Sequence, residues 1–212
     1  MSGLKETAEE VLEQARDAGA DDAVVEVFDH RTNQVRYSNS RIDASNWWSL
    51  THAHVFVAVG KRTLSTDLLD MGTAKASVEA LVKIAKMSPE NSEYTGIASG
   101  RFKYRRGRAD PRVVAMRSPT KHVHDAISAA TREGAAEVGG TLFIRHRRAG
   151  IASSGGALAE DESAALELSV RAFSQPEASG HALCCTHKLS GLDARMTGSR
   201  ACQMAILAKD PV

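Results

Sequence analysis

From Ile42 to Val59 the side chains alternate, with Trp48, Leu50, His52, His54 and Phe56 directed to one face and Ala53, Val55, Val57 and Val59 to the other. A period of two sustained over such a length predicts an extended strand and argues against a helix. A strand of this kind needs partners, and the sequence offers them on both sides. Ala23–Phe28 is β-branched and aromatic and Gln34–Ser38 alternates, so the polar stretch Asp29–Asn33 between them reads as the turn of a hairpin. Gly60-Lys61 turns the long strand into a short continuation, Arg62–Thr66. Further on, Thr141–Arg147, a turn near Ala149-Gly150, Ile151–Ser153, and then Ala164–Phe173 and His181–Lys188 read as strands with short connections, a meander.

Helical spacing accounts for the remainder. Leu4, Ala8, Val11, Leu12 and Ala15 form one stripe, with Gly19 as the stop; Val78, Leu81, Val82 and Ala85 form a second on a helix from Thr73 to Met87, ended by Pro89. Ser118-Pro119 supplies a capping hydroxyl followed by proline at the first helical position, and Val123, Ala126, Ile127 and Ala130 then face inward. A last helix carries Ala201, Met204, Ala205 and Ala208 and is stopped by Pro211. The expected class is α+β, a largely antiparallel sheet packed against a few amphipathic helices. Residues 88–117 show no sustained periodicity. They are expected to form a basic loop joining two lobes, 1–87 and 118–212.

The net charge of +1 conceals an asymmetry: residues 1–100 carry 10 Lys/Arg against 15 Asp/Glu, and residues 101–212 carry 17 against 11. Arg101, Lys103, Arg105, Arg106 and Arg108 open a basic run extending to Arg117, an arrangement that serves either as a solvated loop or as an electrostatic footprint for nucleic acid. No apolar run approaches the roughly 20 residues of a membrane-spanning helix. The three cysteines, two of them adjacent, do not form a disulfide framework, so the expected compartment is the cytoplasm.

Searched for chemistry, the chain yields none of the common motifs. None of the eight histidines is followed by Glu, which removes the His-Glu-x-x-His zinc helix. His52 and His54 share a strand face without an identifiable acidic or thiol partner, and His122 and His124 point about 200° apart on a helix. Cys184 and Cys185 read as strand cysteines, buried rather than nucleophilic. Neither a Gly-x-Ser-x-Gly elbow nor a phosphate-cradling glycine loop is present.

The order of several short segments is informative. Gly19-Ala20-Asp21-Asp22-Ala23, Val35-Arg36-Tyr37-Ser38-Asn39, Val59-Gly60-Lys61-Arg62, Ala85-Lys86-Met87-Ser88-Pro89, Ser153-Ser154-Gly155-Gly156, Ala178-Ser179-Gly180-His181 and Gly198-Ser199-Arg200-Ala201 together resemble the N-terminal domain of the TldD/PmbA family, over essentially the whole chain. That family comprises metal-dependent peptidases working as paired subunits, and its members have also been called modulators of DNA gyrase. The resemblance implies an α+β domain that shapes the cleft for unfolded peptide and contacts a homologous subunit, as a homo- or heterodimer. It also implies that zinc and the catalytic glutamate belong to a following C-terminal domain, on a His-Glu-x-x-x-His helix with no counterpart here. The chain is therefore expected to contain no cofactor and to be inactive alone.

On this reading Ser153, Ser154, Gly155, Gly156, Ser179, Gly180 and His181 allow close approach of a peptide or partner backbone, or serve as ordinary turns. Of the paired tryptophans, one is expected in the core, and Trp47 at an interface. The alternative function is a binding protein for nucleic acid or a topoisomerase, using Arg101, Lys103, Arg105, Arg106 and Arg108.

Overall fold

The computed structural model describes residues 3–175 and 178–209. Helix α1 (Leu4–Asp17) is followed by strands β1 (Asp22–Ser38), β2 (Arg41–Val59) and β3 (Arg62–Leu68), then helix α2 (Ala74–Met87). A single helical turn α3 (Pro111–Val114) and helix α4 (Thr120–Arg132) precede β4 (Glu137–Ser153), β5 (Leu158–Gln175), β6 (Ala178–Thr186) and helix α5 (Ala194–Leu207). The six strands form a sheet in the order β3-β2-β1-β4-β5-β6. The class is α+β with an antiparallel sheet, as the alternation and the short connections require.

Two sequence expectations about turns are corrected. Asp29–Asn33 is not a turn: β1 runs unbroken through it, as β4 runs unbroken through Ala149-Gly150. Two side chains of this part of β1, Asp29 and His30, are engaged within the sheet. Asp29 is buried 4.0 Å from Arg148, and the His30 ring stacks on His52 of the neighbouring strand at 5.4 Å. The real hairpin turn is Asn39-Ser40, where both residues have positive φ (46° and 59°), the left-handed pair that matches strand twist. Ser40 is held there by two bonds to Val138, its N–H donating to the carbonyl at 2.8 Å and its Oγ accepting from the N–H at 3.1 Å.

The chain divides into two compact units. Unit 1 comprises Met1–His30, Ser49–Arg108 and Arg147–Glu162; unit 2 comprises Arg31–Trp48, Ala109–His146 and Ser163–Val212. These are not the sequential lobes 1–87 and 118–212, because β1, β2, β4 and β5 are long enough to contribute to both. In unit 1, Ala8, Val11, Leu12 and Ala15 of α1 and Val78, Leu81, Val82 and Ala85 of α2 pack on Ala23, Val25, Val27, Ala53, Val55 and Val57 of the sheet. In unit 2, α4 and α5 pack on Val35, Tyr37, Leu142, Leu166, Leu168 and Val170. Each fully buried valine or leucine contributes about 1.5–3 kcal/mol of transfer free energy. Tyr37 also donates its hydroxyl to the Ser169 carbonyl at 2.8 Å, and burial holds its phenol well above the usual range.

The helix start at Ser118 is corrected as well: α4 begins at Thr120 with Pro119 at its N-cap and no side-chain cap bond. The final stop at Pro211 lies outside the described residues. Within 88–117, the turn α3 is fixed by Asp110, whose carboxylate accepts from the Arg112 N–H (3.0 Å), pairs with the Arg112 guanidinium (2.9 Å) and accepts from the Leu189 N–H (2.9 Å). The hydrogen bonds from Arg112, then that from Leu189, hold its carboxyl well below the ordinary carboxylate range. A depressed folded value means that the unfolded chain binds the proton more readily. The stabilisation is therefore complete above about pH 4, the ordinary carboxylate value, and is lost as pH falls below it. Asp110→Asn is expected to lower the thermal midpoint at pH 7 and to flatten its decline between about pH 5 and 3, as calorimetry at stepped pH would show.

Candidate functional site

In unit 1 the helices cover the sheet face that carries Ala23, Val25 and Val27, which leaves Asp22, Val24, Glu26 and Phe28 on the other. Coil from 92 to 108 crosses this second face and is fixed at four points. Tyr94 donates its hydroxyl to Asp22 at 2.7 Å and lies 6.0 Å from the Phe56 ring; the Gly100 N–H donates to the Gly155 carbonyl at 3.0 Å. Arg106 bonds Glu160 at 2.9 Å, and the Gly107 N–H donates to Asp161 at 2.6 Å.

A cleft of about 330 Å³ is lined jointly by this coil and by the strands. Its apolar members are Phe28, Ala149, Ile151 and Ala159, and Glu26, Tyr104, Arg105, Arg147, Glu160 and Asp161 supply its polar groups. The acids Glu160 and Asp161 are already engaged by the coil, and Glu160 lies 3.6 Å from Arg148 as well. Arg147 has its guanidinium 4.5 Å above the Phe28 ring. Among the described residues, neither Arg105 nor Arg147 has an ion-paired carboxylate. Phe28 in turn packs against His30 (5.7 Å) and His52 (5.2 Å). Burial pushes the His30 imidazole below its ordinary pKa, and His52 and Arg147 push in the same direction against Asp29, so this ring is neutral at pH 7. The arrangement combines an apolar surface with two guanidinium groups that lack a carboxylate partner, a lining suited to an anionic group beside apolar ones. Among the described residues no three or more His, Cys, Asp or Glu side chains are grouped so as to hold a metal.

The residues singled out in the sequence are distributed over both units. Ser153–Gly156 join β4 to β5 in unit 1, and their groups are used within the chain. Ser153 Oγ accepts from the Ala157 N–H (3.0 Å), Ser154 Oγ accepts from the Ala23 N–H (3.0 Å), and Gly155 packs on the Ala98 carbonyl. Ser179, Gly180 and His181 lie in β6 of unit 2, where Gly180 packs on the backbone of α5 and His181 is exposed, bonded to Ser169 Oγ at 2.9 Å. Of the basic residues, Arg101, Lys103, Arg105 and Arg108 are exposed, and Arg106 is paired to Glu160.

Three expectations are corrected. Both tryptophans are exposed, Trp47 at 66% and Trp48 at 44%, so neither is a core residue. β3 pairs with β2 only between Ala53 and Val59, and no strand covers the tryptophan stretch on that side among the described residues. Cys185 is exposed and Cys184 half-buried, because β6 ends the sheet; only Cys202 is buried, and burial raises its thiol pKa. His54 does have an acidic partner, Asp67, 2.9 Å away on β3. Glu26, Phe28, Arg147 and Glu160 were not singled out by sequence reasoning. Their signal was the run of charges inside strands, at 145–148 and 160–162, where a solvated turn would ordinarily be read.

No protein-family model matches the chain, and no curated protein matches it in sequence. Its fold is nevertheless that of several solved structures. A candidate modulator of DNA gyrase from Bacteroides thetaiotaomicron superposes with a TM-score of 0.79 at 15% identity, over 95% of this chain and 49% of that one. A second from Thermotoga maritima gives 0.72 at 14% identity, over 96% and 48%. TldE from Thermococcus kodakarensis gives 0.76 at 14% identity, over 94% and 47%. The likeness to TldD/PmbA proteins inferred from the segment order is thus met at the level of the fold, and the chain spans about half the length of each of these structures. No helix among the described residues is long and apolar enough to cross a membrane.

Proposed function

We propose that this chain is a non-catalytic domain of a TldD/PmbA-type metallopeptidase, in which it receives unfolded peptide and docks a homologous subunit, while zinc and the catalytic groups are held elsewhere. The observation that carries this reading is the cleft of unit 1, whose apolar members and two uncommitted arginines fit an extended peptide bearing apolar and acidic side chains. The shared fold with TldE supports the same reading. Its expected setting is the cytoplasm. The chemistry assigned to the domain is binding and orientation; hydrolysis would require the zinc-bearing partner.

Fluorescence anisotropy of a labelled, unfolded acidic peptide tests it. Binding by the 212-residue chain is expected to weaken no more than about tenfold between about 50 and 200 mM salt, and to weaken about tenfold in the double variant Arg105→Gln, Arg147→Gln. Five exposed cations in the basic coil, of which only Arg106 is paired to a carboxylate among the described residues, support a second reading, nucleic-acid binding. That reading instead expects duplex DNA to bind and to lose roughly 100-fold in affinity over the same salt range, for about four phosphate contacts. Absence of peptide binding would remove the first reading, and salt-independent or absent DNA binding would remove the second.

A further inference from the structure

In unit 1 the coil segment Arg101-Phe102-Lys103-Tyr104-Arg105 alternates cations with aromatic rings, and all five side chains are exposed. Phe102 is 43% and Tyr104 56% exposed, so core packing accounts for neither ring. Both ends of the segment are fixed: the Gly100 N–H donates to the Gly155 carbonyl at 3.0 Å, and the Gly107 N–H to Asp161 at 2.6 Å. The coil from Gly100 to Gly107 thus keeps pace with the chain from Gly155 to Asp161, which leaves little slack and holds the segment close to extended. Among the described residues Arg101, Lys103, Arg105 and Arg108 have no carboxylate partner. The acids that meet the coil are already engaged, Glu160 by Arg106 and Arg148 and Asp161 by the Gly107 N–H.

We propose that this segment binds single-stranded nucleic acid, with Phe102 and Tyr104 stacking on bases and Arg101, Lys103, Arg105 and Arg108 meeting phosphates. The proposal rests on the nucleic-acid reading above and gives it a ligand class, a strand whose base faces are free. In an extended chain, residues two apart share one side and lie about 6.6–7 Å from each other. Stacked bases are about 3.4 Å apart, so one base fits between the two rings in contact with both. Every base has a π-face, and stacking of this kind tolerates any sequence. In a duplex those faces are covered by neighbouring pairs, and the rings contribute only if the duplex is unstacked. An anionic lipid surface would attract the same cations, but it takes up apolar side chains to a depth of about 5–10 Å, which a segment tied down at both ends is poorly placed to reach. Arg101, Phe102, Lys103 and Arg108 lie outside the lining of the cleft, so strand binding here is separable from peptide binding there.

A labelled oligothymidylate of about ten nucleotides, and a duplex of about the same length, are titrated with the 212-residue chain and followed by anisotropy. The single strand is expected to bind at least about tenfold more tightly than the duplex at about 100 mM salt. Its affinity should fall about 50-fold between about 50 and 200 mM, the slope for about four phosphates on a single strand. The double variant Phe102→Ala, Tyr104→Ala is expected to lose about 30-fold in strand affinity, with the salt slope unchanged because rings release no counterions. Phe102→Trp, Tyr104→Trp should retain the affinity, and the exposure of both rings should leave the thermal midpoint of either variant unchanged. Duplex binding as tight as strand binding, with the alanine variant unimpaired, would overturn the inference and leave the nucleic-acid reading standing. Binding of neither nucleic acid would remove both. Association with phosphatidylserine vesicles in place of the single strand would overturn the inference in favour of a lipid surface.

Discussion

Gly180→Val is expected to lower stability by about 3 kcal/mol or more and the thermal midpoint by at least about 6 °C. A β-carbon at this position would fall inside contact distance of the Ala201 carbonyl and the Ala205 N–H, and 2.6 Å from Met204 Cβ, all on α5. Two of these are backbone atoms of a helix, so no rotamer change relieves the overlap. α5 is held equally close on its other side, where its own Gly198 meets the Ala126 carbonyl of α4. Displacing the helix would uncover Ala201, Cys202 and Ala205, all fully buried. Gly60→Ala is the control: it has positive φ but nothing within 4 Å, and should cost only about 1 kcal/mol. Equal midpoints for the two variants would show that α5 is not seated on β6 as described. This packing also explains why Gly180, a candidate for peptide approach in the sequence, is occupied by the chain's own helix.

Gly155→Val is expected to release the basic coil from the sheet of unit 1. A β-carbon there would overlap the Ala98 carbonyl, and the same residue's carbonyl accepts from the Gly100 N–H at 3.0 Å. The coil leading to Arg101–Arg108 would then lose its entry point, while the strands beneath would keep their helices and core. The overall cost should therefore stay within about 1–3 kcal/mol, but local opening should become far easier. Trypsin is the appropriate probe, since Arg101, Lys103, Arg105, Arg106 and Arg108 are all in the coil. Cleavage in this segment is expected to accelerate by about tenfold or more relative to the parent chain, with loss of peptide affinity as the Tyr104 and Arg105 wall departs. Unchanged cleavage and unchanged affinity would mean that the coil is not held at Gly155.

The elements that periodicity reports directly were legible in the sequence. The alternation from Ile42 to Val59 placed Ala53, Val55 and Val57 toward the helices, and the stripes at Ala8–Ala15 and Val78–Ala85 are the faces that cover them. Turn chemistry was less legible, because Asp29–Asn33 has the composition of a turn yet lies in a strand, its charge met by Arg148 and its imidazole by His52. Asn39-Ser40 carried a weaker turn signal and is the actual turn. The cleft was not legible at all, since its lining comes from β1, the coil, β4 and β5, segments separated by tens of residues whose meeting depends on strand order. The exposure of the tryptophans was not legible, because the pairing limit of β3 that leaves both Trp47 and Trp48 exposed has no mark in the local sequence.

The peptide-receiving role is tested most directly by photo-cross-linking. An unfolded acidic peptide carrying a diazirine side chain is incubated with the 212-residue chain, irradiated, and the adducts are mapped by mass spectrometry. Adducts are expected on Phe28, Tyr104, Arg147 and Ile151, suppressed by excess unlabelled peptide and reduced in Gly155→Val. Adducts that avoid all four residues, or that persist undiminished under competition, would contradict the assignment of the cleft to peptide.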